Sequence, residues 1–459
     1  MPPIFIGSRP VLKRYIGSTE VTKVYLGLDE IFGAAPPSLP VPSNALACLF
    51  GDSRSQGSSG DFPGVNTLNA EGYASWALQA AGYKFSWSAN YGVGGSYLIP
   101  NDNATYSLRQ RLAAVIADPA SVVVLLIGVN DGGTALNIWA PEFVYIVTAL
   151  TGAGKIVMVL DELPYTAVAN EAGRLVQIER HQYLASPAVG AISPLVVQVS
   201  SFAPMLKAGT TCDFVDGYAP DGLHPKVRGN SVLGGVVGAP MGQLFAAYPS
   251  QNNPPTGADD YNAATNPGGC LIPGYMMAGT AGSTAGVTGV VASNHAFSTA
   301  NAGGVTIDCS MTTDSDGHAQ QVIHVHGTPT AGSKTLSYQN LCMTAGNMGY
   351  IGAGDYIRSV ARVIVDTGAI GFRGFGIGAK LQGNNGVAVN KTTYNFAGTS
   401  AEWPSDLPFD EPCASQRNAV YADWSTMTAR GITSLLNMSF TGGAPVDFTI
   451  RVSRFGVRK

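Results

Sequence analysis

The stretch ALACLFGDSRSQG, residues 45–57, sets an unbroken apolar run against a turn in which a serine stands where a helix can begin. ALACLF shows no alternation of polar and apolar residues, as expected of a strand covered on both faces. Four more runs of this kind follow: KFSWSA (84–89), SVVVLLI (121–127), KIVMVL (155–160) and PLVVQV (194–199). Between and after them, helical patterns cover residues 68–82, 105–118, 143–154, 171–185 and roughly 226–246. Strand–helix alternation over residues 44–250 predicts an α/β domain around a parallel sheet.

Ligands of an open parallel sheet bind beyond the carboxyl ends of its strands, so the residues delivered there carry the functional reading. The first strand delivers Ser53, the second the glycine run ANYGVGGS (89–96), and the third GVND (128–131) with Asn130. After the fifth, the chain returns through DGLHP (221–225), in which Asp221 precedes His224 by three residues. A serine hydroxyl is a weak nucleophile until a base takes its proton, and an imidazole is suited to that task. An aspartate can fix the tautomer and orientation of that imidazole. Backbone N–H groups of Ser53 and the glycine run, with the Asn130 amide, could hold an oxyanion. Each group alone has an ordinary reading as a helix cap, a turn residue or a solvated loop; the ordered combination carries the case. His181, among Glu179, Arg180 and Gln182 on an amphipathic helix, reads as a surface residue.

These four stretches resemble the blocks of the SGNH (GDSL-type) hydrolases: GDS, NxGxxG at Asn90–Gly95, GxND at Gly128–Asp131, and DxxHP at Asp221–Pro225. The resemblance covers roughly residues 44–248 and implies a flavodoxin-like fold with a parallel sheet. It implies Ser53 as nucleophile, His224 as base and Asp221 as its orienter, with Ser53, Gly95 and Asn130 as oxyanion donors. Gly95 matches the last glycine of its block, with Gly94 leaving the register open. Arg54 and Ser55 depart from the family's usual hydrophobic residue and Ser or Thr, which places an altered pocket rim among the expectations. Members of the family cleave carboxylic esters, often acetyl groups on sugars, without a cofactor.

Outside this region the pattern changes. Residues 1–36 repeat with a period of ten, as FIGSRPVLK, YIGSTEVTK and YLGLDEIF, which reads as short strands joined by tight turns. A proline-rich spacer spans 37–43 and a polar Pro/Asn/Gly segment spans 251–269. Residues 270–459 alternate with period two, as in QVIHVHG (321–327) and RSVARVIVD (358–366), and predict an antiparallel β-sandwich. The decads are similar to repeats at the start of some phage virion proteins, which implies docking to other virion proteins. The sandwich is similar in pattern to jelly-roll carbohydrate-binding modules. Its sugar-contacting residues stay open; Tyr350, Tyr356 and Trp403 could stack on sugar rings but suit packing as well. His324 and His326 share one strand face but lack an evident third ligand, so no metal site is expected.

Composition bounds the rest. A chain of 459 residues exceeds one ordinary core. Its net charge of −4 gives no reason to expect a nucleic-acid partner. Charged residues make up only 12%, about half the usual ~25%. MPPIFIGSRP lacks the pattern of a secretory signal, and VVVLLIGV (122–129) is too short to span a membrane. Six cysteines without CxxC spacing are expected to be buried free thiols.

Together these features lead to the expectation of a serine esterase removing O-acetyl or other short acyl groups from bacterial capsule or O-antigen. It would act outside the cell, on the surface of a phage-like particle, as a spike or receptor-binding protein. Such a spike would be a homo-oligomer, with a trimer as the candidate state. Rival readings are a non-catalytic glycan-binding spike that keeps the hydrolase fold, and a free bacterial carbohydrate esterase.

Overall fold

The computed structural model describes residues 39–59, 67–100, 106–167, 171–257, 259–342, 351–384, 388–398, 401–427 and 429–459, with short strand segments between residues 4 and 32. The chain divides into two compact units, Met1–Pro40 and Val41–Lys459. In the first, each ten-residue repeat forms a two-stranded antiparallel ladder: Ile4–Ile6 with Arg9–Val11, Tyr15–Ile16 with Thr19–Glu20, and Val24–Leu26 with Asp29–Phe32. Each repeat thus supplies two strands rather than one, because the variable residues after the Gly pair back on the aromatic–aliphatic segment.

The second unit begins with the expected parallel sheet. Strands β1 (Leu46–Gly51), β3 (Ser86–Gly92), β4 (Val122–Leu126), β5 (Ile156–Leu160) and β6 (Val196–Val199) pair in the order β3-β1-β4-β5-β6, all parallel. The winding reverses between β1 and β4, the arrangement of flavodoxin-like sheets. Apolar side chains alternate along each strand into two cores. Leu49, Val124 and Met158 face α2 (Tyr73–Ala80) and α8 (Val227–Leu244). Phe50, Leu125 and Val159 face α3 (Leu108–Ala117) and α4 (Leu136–Gly152). Shorter or peripheral helices are α1 (Ser53–Gln56), α5 (Glu171–Leu184), α6 (Pro187–Gly190) and α7 (Phe202–Met205). α2 and α8 approach so closely that a Cβ at Gly234 would lie 2.2 Å from Trp76 Cβ. Helix α4 starts seven residues before the expected position 143, with Pro141 inside its second turn, where the apolar face of Trp139 and Phe143 holds it.

Residues 68 and 69, expected at the start of a helix, instead lie in β2 (Thr67–Asn69), which stands outside the parallel sheet. β2 pairs with the C-terminal part. That part builds one sheet in the order β7 (Thr288–Gly289), β9 (Val305–Thr313), β10 (Ala319–Gly327), β18 (Val446–Arg458), β12 (Tyr356–Val365), β15 (Phe409–Ala414), with β16 (Asn418–Ala419) also on β12. The other sheet runs β8 (His295–Ser298), β11 (Lys334–Cys342), β17 (Ala429–Phe440), β13 (Phe372–Asn384), β14 (Ala388–Ala397), β2. Pairing is antiparallel except for β7 with β9 and β2 with β14. Ile323, Val363 and Ile450 of the first sheet share a core with Leu336, Ile377 and Met438 of the second, which makes a β-sandwich.

The chain on either side of residues 251–269 does not pack as two independent cores. Trp76 of α2 lies in the sandwich core, its ring 4.9 Å from Phe396 and 5.6 Å from Trp403. Tyr83 receives a hydrogen bond from Asn395 at 2.8 Å. Trp403 is buried here, and Tyr356 is exposed beneath the Arg417 guanidinium; Tyr350 lies outside the described residues. Cys48, Cys212, Cys270, Cys309 and Cys413 are free and buried, and the Cys342 side chain lies outside the described residues. Among the described residues no helix is long and apolar enough to cross a membrane.

Trp76→Ala should therefore destabilise residues 41–459 as one unit, by about 3–5 kcal/mol. Denaturant unfolding followed by far-UV dichroism and by tryptophan fluorescence should give coincident transitions. Separate transitions for the two probes would show that the helices and the sandwich unfold independently.

Candidate active site

The switch point between β1 and β4 is where the quoted stretch leads. β1 ends at Gly51, Asp52 caps the following turn by accepting the Arg54 N–H at 3.0 Å, and Ser53 opens α1. As the first helical residue, Ser53 has no carbonyl one turn earlier to receive its N–H. Its Oγ lies 2.9 Å from His224 Nε2, although 171 residues separate the two along the chain. His224 Nδ1 lies 2.8 Å from Asp221 Oδ2. The other Asp221 oxygen accepts the N–H groups of Leu223 and His224, at 2.9 and 2.7 Å. Partial burial pushes the Asp221 carboxyl up, but those two N–H donors and the imidazole outweigh it and hold the group below its ordinary value. Asp221 is thus a fixed anion behind the imidazole. The loop is pinned from α8, where Asn230 donates to Pro225 O at 2.6 Å and also to the Glu71 carbonyl. The His224 and Asp221 side chains remain 38% and 51% exposed, so the site opens to solvent.

The glycine run lies against this turn. Asn90 holds it there: its amide donates to Ser55 O at 3.0 Å while its oxygen accepts the Gly92 N–H at 2.9 Å. The Gly94 N–H is taken by Gln56 Oε1 at 2.8 Å, whereas the Gly95 N–H meets no acceptor among the described residues. Gly95 has φ +73°, a conformation that favours glycine. Asn130 follows β4 in a short 3₁₀ turn and donates one amide hydrogen to Ser96 O at 3.0 Å, which sets it beside Gly95. Ser53, Gly95, Asn130 and the Asp221–His224 pair are thus supplied by four loops gathered at one edge of the sheet.

Several residues that the pattern did not single out hold these loops. Arg111 on α3 donates to Gly51 O at 3.2 Å, to Ser96 Oγ at 2.6 Å and to the Tyr91 carbonyl, joining the first two loops. Burial lowers its guanidinium to about 10. Asp131 accepts the N–H groups of Leu98 and Ile99 and the indole N–H of Trp139, joining the second loop to the third. The buried Arg180 donates to the carbonyls of Gly128, Gly132 and Thr134 and encloses the third loop. His181 beside it is not a simple surface residue: it stacks on Phe202 at 4.0 Å and pairs with the Asp161 carbonyl. Apolar helix periodicity gives no hint of such side-chain-to-carbonyl contacts, because they cross between distant segments.

Arg54 does not line a rim, as its departure from the family pattern led one to expect. It is buried beneath the turn, forked onto both oxygens of Asp52 at 3.0 and 2.7 Å and paired with Glu162 on the other side. Glu162, completely buried and at φ +80°, has its carboxyl pushed up by burial against the pull of Arg54. The expectation of no third ligand beside His324 and His326 is also overturned: Asp308 stands with them, far along the chain from these loops.

Residues 49–232 match the GDSL-like lipase/acylhydrolase family. The chain thus carries a hydrolase domain of the GDSL type in its middle part. That domain is similar to a lipase/acylhydrolase from Enterococcus faecalis, at 16% identity and TM-score 0.32, covering 45% of this chain and 99% of that one. It is also similar to an acetylxylan esterase from Geobacillus stearothermophilus, at 17% identity and TM-score 0.33, covering 44% and 95%. A GDSL-like lipase from Bacteroides thetaiotaomicron matches at 15% identity and TM-score 0.33, covering 44% and 88%. No curated protein matches the chain.

Removing Arg54 would leave two carboxylates buried without a cation, and breaking a buried pair costs about 3–5 kcal/mol. Arg54→Ala should lower stability by that order in urea titration, and Arg54→Lys should restore only part of it, because an ammonium lacks the fork.

Proposed function

We propose that the GDSL-type domain is a serine esterase that removes O-acetyl or other short acyl groups from a bacterial surface polysaccharide. The observation that carries this reading is the chain of contacts from Ser53 through His224 to Asp221, open to solvent beside three unfilled donors. In this mechanism the ester carbonyl sits against Ser53, and His224 Nε2 takes the hydroxyl proton as Oγ attacks the carbonyl carbon. Asp221, held ionised by its three donors, stabilises the imidazolium that forms. The Ser53 and Gly95 N–H groups and the free Asn130 amide hydrogen receive the developing oxyanion. His224 then gives its proton to the leaving sugar oxygen, and a water activated by the same imidazole releases the acid from Ser53.

An acetylated glycan suits the surroundings. A solvent-open site admits a sugar within a long chain. Tyr97 and Tyr106, each 37% exposed, stand beside Gly95, and the Tyr106 ring lies within 4 Å of where a Gly95 side chain would begin. Exposed aromatic faces of this kind bind the apolar faces of sugars. In the wider reading, the decad repeats dock the protein to a phage-like particle, the sandwich grips the glycan, and the assembly is a trimeric spike acting outside the host cell.

Incubation of purified protein with acetylated capsule or O-antigen should release acetate and remove the acetyl methyl signals from the NMR spectrum of the polymer. Ser53→Ala should reduce that release by about 10⁴-fold or more, because a triad acts as a unit. Asn130→Ala should cost roughly 10²–10³ in kcat, as the loss of one oxyanion donor does. Undiminished acetate release by Ser53→Ala would refute the assignment; glycan binding without turnover by the unaltered protein would favour a non-catalytic spike.

A further inference from the structure

On the outer face of the sandwich, three neighbouring strands bring together two histidines and two aspartates far along the chain from the esterase site. β10 points Ile323 and Val325 into the core, so His324 and His326, alternating with them, stand outward on the same face. The two imidazoles stack with centroids 4.7 Å apart. The antiparallel register sets Asp308 of β9 opposite His324, and Asp447 of β18 opposite His326. Contacts then run along the diagonals: His326 Nε2 lies 2.9 Å from Asp308 Oδ2, and His324 Nε2 lies 2.8 Å from Asp447 Oδ1.

We propose that Asp308, His324 and His326 form a binding site for a divalent transition-metal ion of the zinc type, with Asp447 as a further carboxylate at its edge. One ligand atom from each of the three lies within 4.8 Å of the others. Zinc bonds of about 2.0–2.1 Å in a tetrahedral site put ligand atoms about 3.3 Å apart, so a rotamer adjustment of at most about 1.5 Å closes the set. Two imidazole nitrogens and a carboxylate oxygen favour zinc, nickel, cobalt or copper over calcium and magnesium, which take all-oxygen sites.

Packing does not account for the arrangement. The His324 and His326 side chains are 39% and 40% exposed, and Asp308 and Asp447 more so. Asp308 is itself oriented: Thr288 of β7 donates to its Oδ1, leaving Oδ2 toward His326. A hydroxyl that fixes a carboxylate in this way is the outer support that metal ligands usually have. An ion held here would tie β9 to β10, with Asp447 extending the clamp to β18.

The test uses the full-length chain without a histidine tag, treated with chelator and then titrated with ZnCl₂ by calorimetry and with CoCl₂ by visible absorption. One zinc ion per chain should bind saturably, the thermal midpoint should rise, and cobalt should show d–d bands. The His324→Ala/His326→Ala double variant should lose all three signals, and Thr288→Val should weaken binding by about tenfold. Should the double variant fail to fold, the exposed Asp308→Asn serves in its place and should weaken zinc binding. Absence of saturable uptake, or uptake unchanged in these variants, would overturn the proposal.

Discussion

All five strands of the central sheet run in one direction, and everything at the candidate site follows from that constraint. Parallel strands deliver every following loop to the same edge. Reversal of winding between β1 and β4 then parts the loops, so that Ser53 after β1 and Asn130 after β4 border one crevice. The Ser53–His224 contact joins the opening of this layer to its closing helix, 171 residues later. It forms only because α8 returns beside α2, and a side chain at Gly234 would prevent that approach.

Precision at the crevice comes from buried charge rather than from the apolar cores. Arg54, Arg111 and Arg180 each reach carbonyl or carboxylate oxygens of the loops around the site, and Asp131 does the converse with N–H groups. Irregular backbone cannot satisfy itself as helices and sheets do, so buried loops call for side-chain partners. An arginine serves well because its rigid fork addresses several oxygens at once. The uncommon Arg54 belongs to this set: beneath the turn, it lets the capping Asp52 stay buried.

The sandwich is joined to the helical layer by more than a linker. β2 extends a sheet of the sandwich, and Trp76 of α2 sits among the sandwich aromatics. Glu71, between these two elements, accepts the Ala401 N–H at 2.7 Å and pairs with Lys226 at the start of α8. Through Lys226 and Asn230 the loop carrying His224 and Asp221 is tied to that junction. The position of the imidazole thus depends on the C-terminal half of the chain.

The unbroken apolar runs determined the parallel sheet, because strands covered on both faces leave no polar alternation, and period-two alternation determined the C-terminal strands. Ser53, Gly95 and Asn130 could be picked out because each stands just after its strand, and Asp221 and His224 because three residues separate them within one pentapeptide. Other features were not legible for one physical reason: they depend on which segments become neighbours. β2 is too short to show a period, and its partner lies more than 300 residues away. Arg111 and Arg180 carry no local signature, since what they satisfy is the backbone of other loops, and neither does Glu162, whose partner Arg54 lies 108 residues away. Asp308 joined His324 and His326 only when the strand register set it opposite them, and register is a property of paired strands rather than of either strand alone.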